Sequence, residues 1–459
     1  MKEKILTPFS LLRGLLNKGH DRSVKAKKNI VASVVIKGAS IVVSLAIVPL
    51  TINYVNVSQY GIWLTLSSIV GWFSFFDIGF TKGLRNKFAE AKANGNDELA
   101  QIYVSTTYAV LTIIFGVLWL IFLVCNRFLN WPEILNVSTN MGAEISLLAI
   151  IVFTYFCLQF VLKIISTIIT ADQEPAKASL IDVLGQVLSL LIVFILVKTT
   201  HGSLIYLGLA LCVAPIIVLL GSNIFFFKGA YKKYKPVISK VKFPYAKGLF
   251  NLGIIFFIIQ IAGIVQYQSA NIIIAQNFST ADVTSYNIVY KYFGMLNMAF
   301  IIFLAPFWSA STEAYMQHDI QWIKNAIKRY IHLNILLFCA GVLMLVFSHK
   351  IYDLWLGKGK VNISFALSLW GFIFFNMQMY EGKYVYFLNG ISALRIQFLA
   401  CIISPFLYIA ASLLLIKYYH MGVEALFIAS VIANINGIVL APIQYYMIIY
   451  KNKKGIWIK

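Results

Sequence analysis

The stretch IVASVVIKGASIVVSLAIVPLTIN, residues 30–53, holds a single charged side chain, Lys37. An α-helix rises 1.5 Å per residue and a bilayer core is about 30 Å thick, so roughly 20 such residues cross it. Comparable runs recur near 60–80, 102–125, 145–170, 178–197 and 204–227, and again near 248–275, 284–307, 330–348, 363–388, 395–416 and 422–450. Lipid offers backbone N–H and C=O groups no partner, so runs of this length are helices. The whole chain agrees: of 459 residues, 60% are apolar, 15% aromatic and 12% charged, whereas a soluble domain carries about 25% charged residues. The reading is an all-α polytopic membrane protein with about twelve transmembrane helices. A water-soluble globule is excluded.

The 38 Lys and Arg against 17 Asp and Glu give a net charge of +21. Between apolar runs this excess reads as membrane topology rather than as a nucleic-acid surface, because cytoplasmic loops are enriched in Lys and Arg. With the N-terminus inside, most basic residues fall on inside segments and both termini are cytoplasmic. The segment 228–247 is the largest inside loop and carries Lys228, Lys232, Lys233, Lys235, Lys240, Lys242 and Lys247. It separates a six-helix half, 29–227, from a second, 248–450, with an amphipathic segment at 1–28 and a basic tail at 451–459. Each half begins inside, so the two run parallel, a transporter plan with a central cavity between the halves. Each also opens with a long helix, a short outside turn (Asn56 to Gln59; Asn277 to Asp282), a second helix and an inside loop of helical character, 81–100 and 309–327.

Within 30–53, Ser33, Lys37, Ser40, Ser44 and Thr51 share one stripe of the helix. Small hydroxyl residues suit close helix packing, whereas Lys37 suits a polar cavity. Gln260, Tyr267 and Asn271 repeat the pattern at the start of the second half. Asn287 and Lys291 follow on the next helix, and Asn376, Tyr380 and Lys383 on a later one. Amides and tyrosines suit sugar hydroxyls and ring faces; an interhelical hydrogen bond is the ordinary alternative for each.

The ionisable residues within spans are Lys37, Asp77, Lys163, Asp182, Lys291, Glu381 and Lys383. Charge in lipid is costly and faces a bundle interior or a water-filled cavity, which makes each a site candidate. Asp77, Asp182 and Glu381 lie within a turn or two of the inner surface, at a depth similar to Lys37, Lys163 and Lys383, and Asp77, Arg85, Lys163, Asp182 and Glu381 form a candidate gating layer; static ion pairs are the plainer reading. Cys125, Cys157, Cys212, Cys339 and Cys401 show no metal or disulfide spacing. No phosphate-binding loop, nucleophile elbow or metal-binding His pair appears. No outside loop is large enough for a catalytic domain, so neither an enzyme nor a cofactor is expected.

The second span and its loop read Tyr60-Gly61-Ile62-Trp63, then Phe76-Asp77-Ile78-Gly79-Phe80, then Gly83-Leu84-Arg85-Asn86 and a basic amphipathic stretch through Lys92. This resembles the polysaccharide flippases, the Wzx-type branch of the superfamily that also holds multidrug and toxic compound extruders and lipid II flippases. The resemblance implies translocation of a polyprenyl-pyrophosphate-linked oligosaccharide across a bacterial cytoplasmic (inner) membrane, for O-antigen, capsule or a related glycan. Other glycan-assembly membrane proteins are its implied partners. The physics agrees, because a pyrophosphate entering a low-dielectric slab needs Lys or Arg to replace lost hydration. A cation-coupled drug or small-molecule exporter is the alternative, for which carboxylates should face the cavity; a structural subunit of an export complex would have no cavity.

Overall fold

The structure is a computed structural model and describes residues 21–73, 80–172, 174–246, 265, 268–391 and 393–458. The segment up to residue 20, most of 248–275, and the candidates Asp77, Gln260 and Tyr267 lie outside the described residues.

The first helices are α1 (Asp21–Tyr54), α2 (Val57–Gly71), α3 (Phe80–Ala93), α4 (Asp97–Cys125) and the short α5 (Trp131–Leu135). Next come α6 (Gly142–Leu162), α7 (Ile164–Ala171), α8 (Pro175–Thr199) and α9 (Leu204–Lys228). Beyond the lysine-rich segment lie α10 (Thr280–Met316), α11 (Ile320–Val346), α12 (Ser348–Leu356) and α13 (Phe365–Gly390). The last three are α14 (Arg395–Lys417), α15 (Ala425–Ala433) and α16 (Ala441–Ile449). Among the described residues, eight helices are long and apolar enough to cross a membrane. Ala425–Ala433 and Asn436–Ile449, a pair bent by 47°, are together long and apolar enough to count as a ninth if they form one span. The bend falls between residues 433 and 436, immediately before a π-helical turn at Asn436–Leu440, a wider turn that interrupts the regular i→i−4 ladder. Of the twelve expected spans, the others correspond to α2, α13 and the stretch around 248–275.

The inside segment 309–327, expected to have helical character, is almost wholly helical. Helix α10 runs on to Met316 and α11 begins at Ile320. Asp319 accepts a hydrogen bond from the Trp322 N–H at 2.9 Å, and His318 takes a left-handed backbone, φ 58°. A capped three-residue turn therefore joins the two helices.

Helices α1 and α3 to α9 pack into one group, α10, α11 and α13 to α16 into another, and α2 lies against α10. Lipid is as apolar as leucine, so the groups are held by interdigitation and hydrogen bonds rather than by escape from water. Phe122 stacks on Phe153 with centroids 4.1 Å apart, and Tyr286 on Phe427 at 4.5 Å. Outward faces keep bulky apolar side chains such as Leu120, Phe225, Leu336 and Phe406 exposed, as a lipid-facing surface requires.

Candidate functional site

A cavity of about 620 Å³, lined by charged and hydroxyl side chains together with apolar ones, opens among α3, α6, α7 and α8. Helix α3 owes its placement to an amphipathic sequence. Leu84 and Phe88 are fully buried, which turns Arg85 to the exposed face, where it lines the cavity. Lys92 forms an ion pair with Asp172, whose other oxygen accepts the Tyr231 hydroxyl at 3.1 Å. Phe88 meets Tyr234 edge to face at 5.0 Å. The lysine-rich segment thus clamps α3 instead of hanging free. Tyr234 also donates to Asp97 at 2.6 Å, and burial together with that carboxylate pushes its pKa up to about 12, which keeps the hydroxyl a donor. Lys233 and Lys240 pair with Asp97 at 3.0 Å and Glu98 at 2.5 Å.

Lys163 is the hinge residue between α6 and α7. Its N–H reaches the Gln159 carbonyl at 2.8 Å, and its own carbonyl accepts from Ser166 at 3.0 Å. Its ammonium lies 3.1 Å from Asp182 of α8. Thr81, Ser166, Thr167, Thr170 and Ser179 add hydroxyls around this pair. A guanidinium, an ammonium and a ring of hydroxyls suit an anion that must shed water. Of the sequence candidates, Arg85, Lys163 and Asp182 therefore meet in one cavity. The hydroxyls were not singled out, although Gln159, Lys163, Ser166 and Thr170 recur at spacings of one helical turn.

The other candidates sit elsewhere. Lys37 is exposed on α1, Ser40 donates to Gln186 of α8 at 2.8 Å, and Ser44 is half-buried. Asn271 is buried and donates to Ser68 of α2 at 2.6 Å, while Asn287 of α10 donates to Asn271 at 2.8 Å. These two amides thus join helices. Lys291 donates to the Tyr60 hydroxyl at 3.2 Å and ties α10 to α2. Lys383 was expected to face the cavity, but it is 1% exposed. It donates to Asn334 at 2.9 Å and to the Tyr380 carbonyl at 2.7 Å. Lys383 also lies over the rings of Tyr380 and Tyr384. Glu381 packs against the broken final span, with Oε2 buried and without a hydrogen-bond partner. The set expected as one charged layer is thus split between the two helix groups. Among the described residues, its one ion pair, Lys163–Asp182, lies within the first group.

Hydrogen bonds between α2 and α10 concentrate at one end of the bundle. Ser58 and Thr280 share one at 2.6 Å, and Thr284 donates to the Val57 carbonyl at 2.7 Å. That end also holds the start of α9, because Tyr54 and Thr200 share a hydrogen bond at 2.8 Å. Helix α9 then runs about 37 Å to the lysine-rich segment, so the joined end is the one opposite the lysines.

No protein-family profile matches the chain. It is 24% identical over 365 residues to a protein named as an O-antigen transporter in Salmonella typhi, covering 78% of this chain and 81% of that protein. It is 22% identical over 375 residues to a protein named as an O-antigen export protein in Yersinia pseudotuberculosis, covering 78% and 81%. Among solved structures, the lipid II flippase MurJ in an inward closed conformation matches with a TM-score of 0.71 and 13% identity, over 90% of this chain and 87% of that one. An inward-facing multidrug resistance MATE transporter of the MOP superfamily matches with a TM-score of 0.67 and 16% identity, over 89% and 100%. The chain is a multi-pass membrane protein, a distant relative of proteins named for O-antigen transport, built on the fold shared by MATE transporters and MurJ.

Proposed function

We propose that the chain is a flippase that moves a polyprenyl-pyrophosphate-linked oligosaccharide from the cytoplasmic to the outer leaflet of a bacterial inner membrane, for surface polysaccharide such as O-antigen or capsule. The carrying observation is the cavity in which Arg85 and Lys163 sit among hydroxyls. It matches a pyrophosphate, and the names of the relatives, together with a fold neighbour that is a lipid II flippase, supply the lipid-linked glycan. In this reading the lysine-bearing end is cytoplasmic and both termini are inside. Two six-helix halves, 29–227 and 248–450, rock against each other, and the α2–α10 contacts hold their outer ends together. The polyprenyl tail stays in lipid, so only the polar head needs a protein path.

The test uses cells whose surface glycan depends on this chain. Arg85→Glu and Lys163→Glu are each expected to lower surface glycan at least about tenfold, a transition-state or binding loss near 1.4 kcal/mol, with lipid-linked oligosaccharide accumulating inside. Lys87→Glu is the control, since Lys87 pairs with Glu90 on its own helix at 2.7 Å. Wild-type export by both cavity variants at normal protein levels rejects the reading.

A cation-coupled small-molecule exporter is the second reading, favoured by the unpaired buried oxygen of Glu381. In that case Glu381→Gln abolishes drug efflux, and Arg85→Glu does not matter.

A further inference from the structure

A second cavity, of about 500 Å³, lies at the closed end. It is assembled from three separate pieces of chain: the start of α2, the turn between α5 and α6, and the start of α10. Its polar lining comes from Asn56, Ser58, Gln59, Asn136 and Ser138, and its apolar lining from Ile62, Val137, Met141 and Phe278. Among the described residues that line it, none is charged. The cavity at the other end contains Arg85, Lys163 and Asp182, so the two differ in the ligand chemistry they suit.

An uncharged sugar ring presents hydroxyls at its rim and C–H groups on its faces. It needs neutral donors and acceptors beside an apolar or aromatic surface, and it gains nothing from a bare cation. The closed-end cavity supplies that mixture. The side-chain oxygen of Gln59 accepts from Asn56 at 3.0 Å, which leaves the Gln59 amide N–H groups as donors. Asn136 donates to the Ala275 carbonyl at 3.2 Å, which leaves its side-chain oxygen as an acceptor. The volume lies within the roughly 300–1,000 Å³ of small-molecule sites.

We propose that this cavity is a subsite for uncharged sugar rings of the translocated glycan, so that one substrate is recognised by charge at one end of the protein and by hydroxyl and amide groups at the other. The inference rests on the flippase reading above and adds where the sugar goes. Phosphate has no partner of opposite charge in this cavity, and sugar has no need of the pair in the other.

The experiment places a benzophenone side chain at Ser138, or separately at Ser179 in the charged cavity, in the full-length chain in cells. The probe is the cells' own lipid-linked glycan, labelled in sugar and in phosphate. After photolysis the benzophenone carbonyl adds across a C–H bond of a sugar or of the prenyl chain, and mild acid then hydrolyses the bond between the first sugar and the pyrophosphate, so a sugar adduct keeps the sugar label and loses the phosphate label, whereas a prenyl adduct loses the sugar label. The Ser138 adduct is expected to keep the sugar label and lose the phosphate label. Adding Gln59→Ala and Asn136→Ala is expected to reduce its yield at least about fivefold, close to 1 kcal/mol, without changing the Ser179 adduct. A Ser138 adduct that loses the sugar label overturns the assignment. So does a Ser179 adduct with no Ser138 adduct, or a Ser138 adduct insensitive to the two alanines; both leave the flippase reading standing. Absence of adducts at both positions rejects the flippase reading and this subsite together.

Discussion

A side-chain carbon on Gly61 would lie 1.6 Å from the carbonyl oxygen of Thr280, so α2 and α10 touch backbone to backbone. The Ser58–Thr280 hydrogen bond sits beside this contact, and the Lys291–Tyr60 bond lies next to Gly61 in sequence. Only glycine permits the approach, because any Cβ there would overlap main-chain atoms that cannot rotate away. The Tyr60-Gly61-Ile62-Trp63 stretch is therefore part of the α2–α10 contact itself.

Gly61→Val should force the two helices apart and open that end. In a background with the five native cysteines replaced, Ser58→Cys and Thr280→Cys should form a disulfide efficiently, since their side chains now touch. Adding Gly61→Val should cut its yield at least about tenfold, because overpacking of this kind costs roughly 1–3 kcal/mol or more. An unchanged yield would mean that the helices accommodate the side chain without separating.

The Lys163–Asp182 pair is 46% and 43% exposed, and exposed pairs contribute about 0–1 kcal/mol. Asp182→Asn should therefore move the melting temperature by less than about 2 °C. Lys163→Arg should keep glycan export, while Lys163→Gln lowers it, because the cation is needed and its stabilising role is small. If Lys163→Gln exports at the wild-type rate, the ammonium does not meet substrate.

Gly437 lies in the π-helical turn, where an added Cβ would come within 2.0 Å of Glu381 Oε2. Gly437→Ala should destabilise the purified protein by about 1–3 kcal/mol. In a Glu381→Ala background most of that loss should vanish, giving a coupling of at least about 1 kcal/mol in a double-mutant cycle. Additive losses in thermal unfolding would show that the contact is not what limits residue 437.

Buried Lys383 predicts a split between charge and volume. Lys383→Ala leaves a hole and strips Asn334 of a donor, for a loss of about 2–4 kcal/mol. Lys383→Met fills the space but still strips Asn334 of its donor, so it should recover only the cavity part of that loss. Export per molecule of Lys383→Met should match wild type. A stable Lys383→Met protein that fails to export would give the ammonium a transport role.

The sequence alone was enough for the membrane class and for most helix positions, because the hydrocarbon thickness sets a length and lipid forbids unpaired backbone groups. Both are local requirements, readable from one run at a time. It also singled out Arg85, Lys163 and Asp182, since ionisable groups are conspicuous in so apolar a chain. Only the tertiary structure decided which of these meet. Residues 163 and 182 lie on different helices, and their 3.1 Å pair depends on how α6, α7 and α8 pack. The same holds for Lys383, which looked like a cavity residue until Asn334 of α11 and two tyrosine rings enclosed it. Asn271 and Asn287 likewise proved to be partners of each other. The uncharged cavity at Asn56 and Asn136 had no linear signal at all, because its walls come from three distant segments. A polar side chain in a membrane helix announces that it needs a partner; which partner it finds is a property of packing between helices, and packing is not periodic in sequence.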